Sequence, residues 1–136
     1  MQENDRPDCL RIFRACLRQQ VWRGDASEYV RALKYAMVNG DAYVSVEPQA
    51  GPVGFLTLID RTTYVDHLFV DPDWRLCGIA RGLLETARQD IGESLTLDVD
   101  QKNGNARAAY ATLGWKEVAL KPNSRIPGGQ VRLIGP

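Results

Sequence analysis

Residues 4–40 carry apolar side chains at the three- and four-residue spacing of amphipathic helices. With Asn4 or Asp5 as its cap, the first run predicts a helix that extends to about Trp22. Ser27 can cap a second helix, which Asn39-Gly40 ends. The chain therefore begins with a predicted pair of helices.

After residue 40 the pattern changes to short apolar strands separated by turn residues. The turn at 48–52 joins the first two strands and predicts a β-hairpin. A helix from Gly78 to about Asp90 separates the third strand from the fourth, an order typical of a crossover between parallel strands. A further helix is predicted from Asn105 to about Leu113. The predicted strands are Ala42–Glu47, Val53–Ile59, Thr63–Val70, Ser94–Val99, Trp115–Leu120 and Gln130–Ile134.

The composition fits one domain over residues 1–136, with 44% apolar and 25% charged residues. The formal net charge is zero and no long basic block appears, which argues against a large nucleic-acid or anionic-membrane surface. Neither an apolar signal segment nor a run of membrane length is found, so we expect a cytoplasmic protein. Cys9, Cys16 and Cys77 lack metal-ligand spacing, and no metal site is predicted.

Residues 71–84 contain the first candidate site, because a turn and a helix start there follow a strand. Arg75, Gly78 and Ala80 form an Arg-x-x-Gly-x-Ala pattern. The N–H groups at a helix N-terminus are unpaired and carry a partial positive charge, and small residues let a phosphate approach them. Taken alone, the pattern also fits an ordinary helix start, so both interpretations stay open at this point.

Residues 103–115 form a second candidate segment, which follows the fourth strand. Asn103 can cap the next helix and can also reach a ligand. Ala106, Tyr110 and Leu113 share one helix face because of their three- and four-residue spacing. Tyr110 therefore faces inward, where its hydroxyl needs a hydrogen-bond partner.

With both segments in this order and Gly114-Trp115 after the second, the chain resembles the GNAT superfamily of acetyl-CoA-dependent N-acetyltransferases. The resemblance extends over roughly Tyr64 to Leu120. It implies an α/β fold in which helices flank a central mixed, twisted β-sheet. It also implies an enzyme that moves an acetyl group from acetyl-CoA to a primary amine of a small molecule or peptide by direct transfer.

The resemblance further implies roles for individual residues. The backbone of the turn would hold the pyrophosphate of coenzyme A, with Arg75 and Arg81 adding positive charge. The third and fourth strands would diverge and leave main-chain groups for the pantetheine arm. Asn103 would contact that arm or order the following loop, and Tyr110 would donate its proton to the leaving thiolate. The implied cofactor-binding residues are Leu68, Phe69, Val70, Arg75, Leu76, Cys77, Gly78, Ile79, Ala80, Arg81, Asn103 and Tyr110.

Two features depart from the commonest form of that family. Leu76 stands where glycine is frequent, and a leucine resists the positive φ that a glycine tolerates. Only Met1–Asn4 precede the predicted first helix, so the usual N-terminal strand is expected to be short or missing. The sheet edge that this would expose predicts a homodimer completed by strand pairing.

Removal of the acceptor's proton needs a base, and Asp66 and His67 are the best-placed candidates. Because successive strand residues point to opposite faces, we expect one of the two to face the cleft, with Asp66 slightly favoured. Their alternative roles are an ion pair for Asp66 and a hydrogen-bonded core position for His67. Asp98 and Asp100 are further candidates, or else turn residues. Cys77 has no recognisable base beside it and is interpreted as structural.

Acceptor specificity is expected from the first two helices, the hairpin and the loop at 121–129. Candidate wall residues are Trp22, Glu28, Tyr29 and Arg125. The alternative function is an acyl-CoA-binding sensor or interaction module of the same fold without transfer activity. A dinucleotide-binding fold is more distant, because the Gly-x-Gly-x-x-Gly run after the first strand is missing.

Overall fold

Helices and strands alternate along residues 1–18, 26–123 and 126–136, which the computed structural model describes. A short 3₁₀ turn, Glu3–Asp5, comes before the first helix. The helices are α1 (Arg6–Leu17), α2 (Ala26–Asn39), α3 (Ile79–Ile91) and α4 (Gly104–Thr112). The strands are β1 (Asp41–Glu47), β2 (Gly51–Leu58), β3 (Val65–Val70), β4 (Thr96–Asp100), β5 (Lys116–Lys121) and β6 (Gln130–Ile134).

The strands form two three-stranded antiparallel sheets, in the orders β1-β2-β3 and β4-β6-β5. In the described part of the chain, a parallel bridge between Tyr64 and Thr96 joins them, beside the hydrogen bond from the Thr96 N–H to the Thr63 carbonyl oxygen at 2.9 Å. Beyond this bridge β3 and β4 form no ladder with each other. The mixed α/β fold is therefore confirmed, with the predicted central sheet divided in two.

Side chains of β2 alternate between the two faces of its sheet and so contribute to two separate cores. Leu56 and Leu58 pack in the core that includes Leu83 of α3. Phe55 packs in the core beneath α1 and α2, together with Phe13. Helices therefore cover both faces of the first sheet.

Predicted and observed elements agree to within a few residues, with differences at several ends. Ser27 does not cap α2, because the helix begins at Ala26 and already includes it. β2 begins at Gly51, since part of the predicted turn is paired with β1. The expected end of the first helix at Trp22 lies outside the described residues, within which α1 ends at Leu17.

The residues before α1 form a 3₁₀ turn rather than a strand, within the part that the structure describes. The amino group of Met1 donates to the carbonyl oxygen of Ala42 at 3.1 Å, so this segment lies against β1. β1 is an outer strand of its sheet.

Candidate active site

A cavity of about 720 Å³ lies between β3 and β4, where the two strands diverge. Strands that diverge leave facing N–H and C=O groups without ladder partners, so the walls contain main-chain donors and acceptors. The predicted catalytic and cofactor-binding residues that line the cavity include Asp66, His67, Leu68, Phe69, Asn103 and Tyr110. The structure thus brings residues of β3 together with residues of the second candidate segment.

Asp66 and His67 both line this cavity, which corrects the prediction that one of the two would face it. The reason is a β-bulge in β3: Thr57 of β2 pairs with His67, and the next residue, Leu58, pairs with Val65. Asp66 is therefore an extra residue, and the strict alternation of faces does not hold across it.

The His67 ring is largely buried, with 11% of its side chain exposed. Its Nδ1 atom lies 2.8 Å from Thr57 Oγ1 and 3.6 Å from a carboxylate oxygen of Asp66. Phe13 of α1 packs edge-on against the ring, with centroids 6.0 Å apart. Burial lowers the pKa of His67, and the Asp66 carboxylate acts in the opposite direction. The ring is therefore mainly neutral at pH 7, and among the described residues its Nε2 atom has no hydrogen-bond partner.

α4 brings Asn103 and Tyr110 to the opposite wall. The Asn103 side chain accepts a hydrogen bond from the Ala106 N–H at 3.1 Å and caps the helix as predicted. The Tyr110 ring packs against Trp115, with centroids 5.4 Å apart. Burial raises the pKa of Tyr110 to about 12, so its hydroxyl keeps its proton at neutral pH. Within the described residues this hydroxyl has no hydrogen-bond partner, and it can donate to a ligand in the cavity.

Asp98 lines the cavity, and its carboxylate is held by a tyrosine hydroxyl and two cationic side chains. It accepts hydrogen bonds from the Tyr64 hydroxyl at 3.0 Å and from Arg132 at 3.1 Å, and the Lys121 ammonium lies 3.5 Å away. Burial opposes its ionisation, but the hydrogen bonds from Arg132 and Tyr64 hold the pKa of Asp98 below its usual range. This carboxylate is therefore a poor proton acceptor at neutral pH.

Sequence reasoning missed Tyr64 and Arg132 as partners of Asp98. Both come from segments far from β4 along the chain, and no motif spacing links them to it. Asp100, the next candidate along β4, accepts a hydrogen bond from the Gln130 side chain at 3.3 Å.

The predicted phosphate turn lies beyond the end of β3 and outside the cavity lining. Leu76 and Gly78 adopt positive φ angles of 65° and 76° and turn the chain into α3. Leu76 thus has the geometry that a leucine was expected to resist, and its side chain is fully exposed. Gly78 is the N-cap of α3 and has no side chain to accept hydrogen bonds from the first-turn N–H groups. Those groups are suited to an anion.

Arg75, Cys77 and Arg81 of this turn are exposed. Arg81 pairs with Glu85 at 2.9 Å on the surface of α3. The Cys77 thiol lies 3.6 Å from the carbonyl oxygen of Arg75.

The candidate acceptor residues divide into three groups. Tyr29 lines the cavity, whereas Glu28 is exposed on α2. Trp22 and Arg125 lie outside the described residues. Among the helices that the structure describes, none is long and apolar enough to cross a membrane. The described residues also contain no group of three or more His, Cys, Asp or Glu side chains arranged to hold a metal ion.

Residues 14–125 match the family described as the acetyltransferase (GNAT) domain. In sequence the chain is similar to the peptidyl-lysine N-acetyltransferase YjaB of Escherichia coli (strain K12), with 33% identity over 95 residues. The alignment covers 70% of this chain and 60% of that relative, so the chain spans less than two thirds of the relative's length.

Solved structures show the same fold. The chain superimposes on the solution structure of apo-form YjaB from Escherichia coli with a TM-score of 0.75 and 23% identity, covering 100% of this chain and 95% of that one. It also superimposes on an aminoglycoside 6'-N-acetyltransferase complexed with coenzyme A, with a TM-score of 0.72 and 17% identity, over 98% of this chain and 91% of that one.

Proposed function

The chain belongs to the GNAT acetyltransferase family, and from this premise we propose that it transfers an acetyl group from acetyl-CoA to a primary amine. The observation that supports this most strongly is the convergence of His67, from β3, and Tyr110, from α4, on one cavity. The first is a neutral imidazole and the second a protonated phenol. Direct acyl transfer to an amine needs such a pair, a base for the amine and an acid for the leaving group.

The donors of the turn beyond β3 and those of the cavity walls together fit coenzyme A. The first turn of α3, entered through Gly78, offers N–H groups suited to a pyrophosphate, and Arg75 and Arg81 add positive charge nearby. The facing edges of β3 and β4 offer main-chain groups that the two sheets do not use between themselves, suited to the amides of a pantetheine arm. Asn103 stands at the cavity wall beside them.

Bound acetyl-CoA supplies an activated acetyl thioester. The Nε2 atom of His67 accepts the proton that the amine loses, because burial keeps the imidazole neutral at pH 7. The Asp66 carboxylate, 3.6 Å from Nδ1, stabilises the imidazolium that results. Tyr110 gives its phenolic proton to the departing sulfur, since its raised pKa keeps that proton in place beforehand.

We propose a lysine side chain of a peptide as the acceptor. The similar Escherichia coli protein is named a peptidyl-lysine N-acetyltransferase. Among the acidic groups of the cavity lining, the Asp66 carboxylate lies 3.6 Å from Nδ1 of His67. This carboxylate attracts a cationic amine, which gives one proton to water before it attacks, and His67 takes the second proton as the new C–N bond forms.

The test is a thiol-release assay with the purified full chain and acetyl-CoA. The acceptors are a lysine-containing peptide, the same peptide with its lysines already acetylated, and a panel of small amines. We expect thiol release to match the amount of acetylated product, found by mass spectrometry, with the free lysine peptide and not with the blocked one. Absence of thiol release across the whole panel would contradict the proposal.

A binding module without transfer activity is not favoured, because the matched family and the similar curated relative are named acetyltransferases. Such a module predicts a rise in melting temperature with coenzyme A and no turnover. A thermal-shift measurement beside the thiol assay therefore separates the two functions.

The predicted homodimer and the cytoplasmic location stay proposals. β1 is an outer strand whose Ala42 carbonyl accepts a hydrogen bond from the Met1 amino group, and the remaining edge of an outer strand is a common place for a second chain to pair. A solution mass equal to one chain at every concentration measured would contradict the dimer.

A further inference from the structure

Thr57 places a hydroxyl in the interior of the first sheet. Its side chain is completely buried, and its strand neighbours Leu56 and Leu58 are buried apolar residues. Valine has nearly the same shape and would bring no polar group into this position, so burial alone does not explain a threonine. The hydroxyl does have one close contact, the Nδ1 atom of His67 at 2.8 Å.

The groups around Nδ1 favour a proton on that atom. A neutral imidazole carries one proton, and the hydrogen bond at one nitrogen determines which nitrogen holds it. The Asp66 carboxylate, which can only accept, lies 3.6 Å from Nδ1. Phe13 of α1 and Phe69 of β3 also pack near the ring and bring no charge to it. With the proton on Nδ1, the Thr57 hydroxyl oxygen accepts this hydrogen bond; with the proton on Nε2, the hydroxyl donates it instead.

We propose that Thr57 is a positioning residue, which holds His67 as the Nδ1–H tautomer and leaves the Nε2 lone pair to take the proton of the acceptor amine. The proposal rests on the proposed function of His67 as the base. Thr57 itself does not line the cavity, so it acts through His67. When the proton moves from the amine nitrogen to Nε2, the ring becomes an imidazolium and its Nδ1–H bond to Thr57 becomes charge-assisted.

The first test uses the fact that the chain contains one histidine. Once any affinity tag is removed, long-range ¹H–¹⁵N spectra of the full chain report the ring of His67 alone. Above its pKa, we expect wild type and Thr57→Ser to carry the proton on Nδ1, and Thr57→Val to shift toward the Nε2–H tautomer. A wild-type ring protonated on Nε2, or a Thr57→Val ring with an unchanged tautomer, overturns the proposal.

The second test is kinetic and uses the same variants. We expect Thr57→Val to lower kcat by about tenfold or more, with an unchanged KM for acetyl-CoA, because the base is presented in the wrong tautomer. The acid limb of its pH–rate profile should move to lower pH, since the imidazolium loses a hydrogen bond, and Thr57→Ser should restore both. A Thr57→Val variant with wild-type kcat and acid limb overturns the positioning role, whatever its melting temperature. If the wild type acetylates no amine, the proposed function fails, while the spectra still decide the tautomer.

Discussion

Gly54 determines how closely α3 approaches the first sheet. A Cβ atom at this position would lie 2.8 Å from Ile79 Cγ2 and 3.2 Å from the carbonyl oxygen of Phe69. Ile79 is the first residue of α3 and Phe69 lies on β3. Gly54→Ala would therefore force apart the helix start and the strand that flank the proposed cofactor site. Overpacking of this kind destabilises a core by about 1–3 kcal/mol.

For a chain of 136 residues, a change of 1 kcal/mol in the free energy of unfolding shifts Tm by about 3.5 °C, as the entropy of unfolding implies. We therefore expect Gly54→Ala to lower Tm by about 3–10 °C in differential scanning calorimetry. Gly82→Ala is the matched control: it lies in α3, a Cβ there meets nothing within 4 Å, and alanine should add about 1 kcal/mol of helix propensity. A wild-type Tm for Gly54→Ala, or a lowered Tm for Gly82→Ala, would refute this reasoning.

Three further predictions concern backbone strain, the core and pH. Leu76→Gly relieves the positive φ of an exposed leucine and should add about 0.5–1 kcal/mol to the free energy of unfolding. Leu76→Ala keeps a Cβ atom and should not. Equal changes in Tm for the two variants would contradict strain at Leu76. Phe55→Ala removes a fully buried ring that stacks on Phe69, with centroids 5.8 Å apart. Urea denaturation should show that the free energy of unfolding falls by about 3–5 kcal/mol. An unchanged free energy of unfolding would exclude this packing. Folding lowers the pKa of His67, so between the folded and unfolded pKa values the unfolded chain binds one more proton than the folded chain. The contribution of the neutral His67 ring to stability is therefore complete above its ordinary pKa near 6.5. This contribution is lost as the pH falls through the folded-state pKa. Urea midpoints of wild type and His67→Gln should therefore converge with falling pH, and a constant difference would count against a lowered pKa.

Local signals were sufficient to predict much of this fold. Gly78 and Asn103 stand where α3 and α4 begin, and their roles as a left-handed N-cap and a side-chain cap depend on neighbours within a few residues. Periodicity then defines the inward face of α4, so the packing of Tyr110 against the core was predictable.

Contacts between distant segments were not predictable in the same way. The bulge at Asp66 depends on how β3 pairs with β2, and alternation along one strand carries no information about that register. The hydrogen bonds from Arg132 and Tyr64 to Asp98 likewise join three separate segments. For this reason the sequence favoured Asp66 and left Asp98 open, whereas we propose His67 as the base.

We propose that one cavity holds both proton-transfer groups of an acetyltransferase, His67 and Tyr110. The most direct test compares kcat for thiol release from acetyl-CoA, with a lysine peptide as acceptor, between wild type and Tyr110→Phe. This substitution removes only a hydroxyl that has no hydrogen-bond partner among the described residues, so the melting temperature of the free protein should be unchanged. We predict that kcat falls by about 10²–10⁴-fold, the usual contribution of a positioned acid. A Tyr110→Phe variant that acetylates the peptide at the wild-type rate would contradict the account.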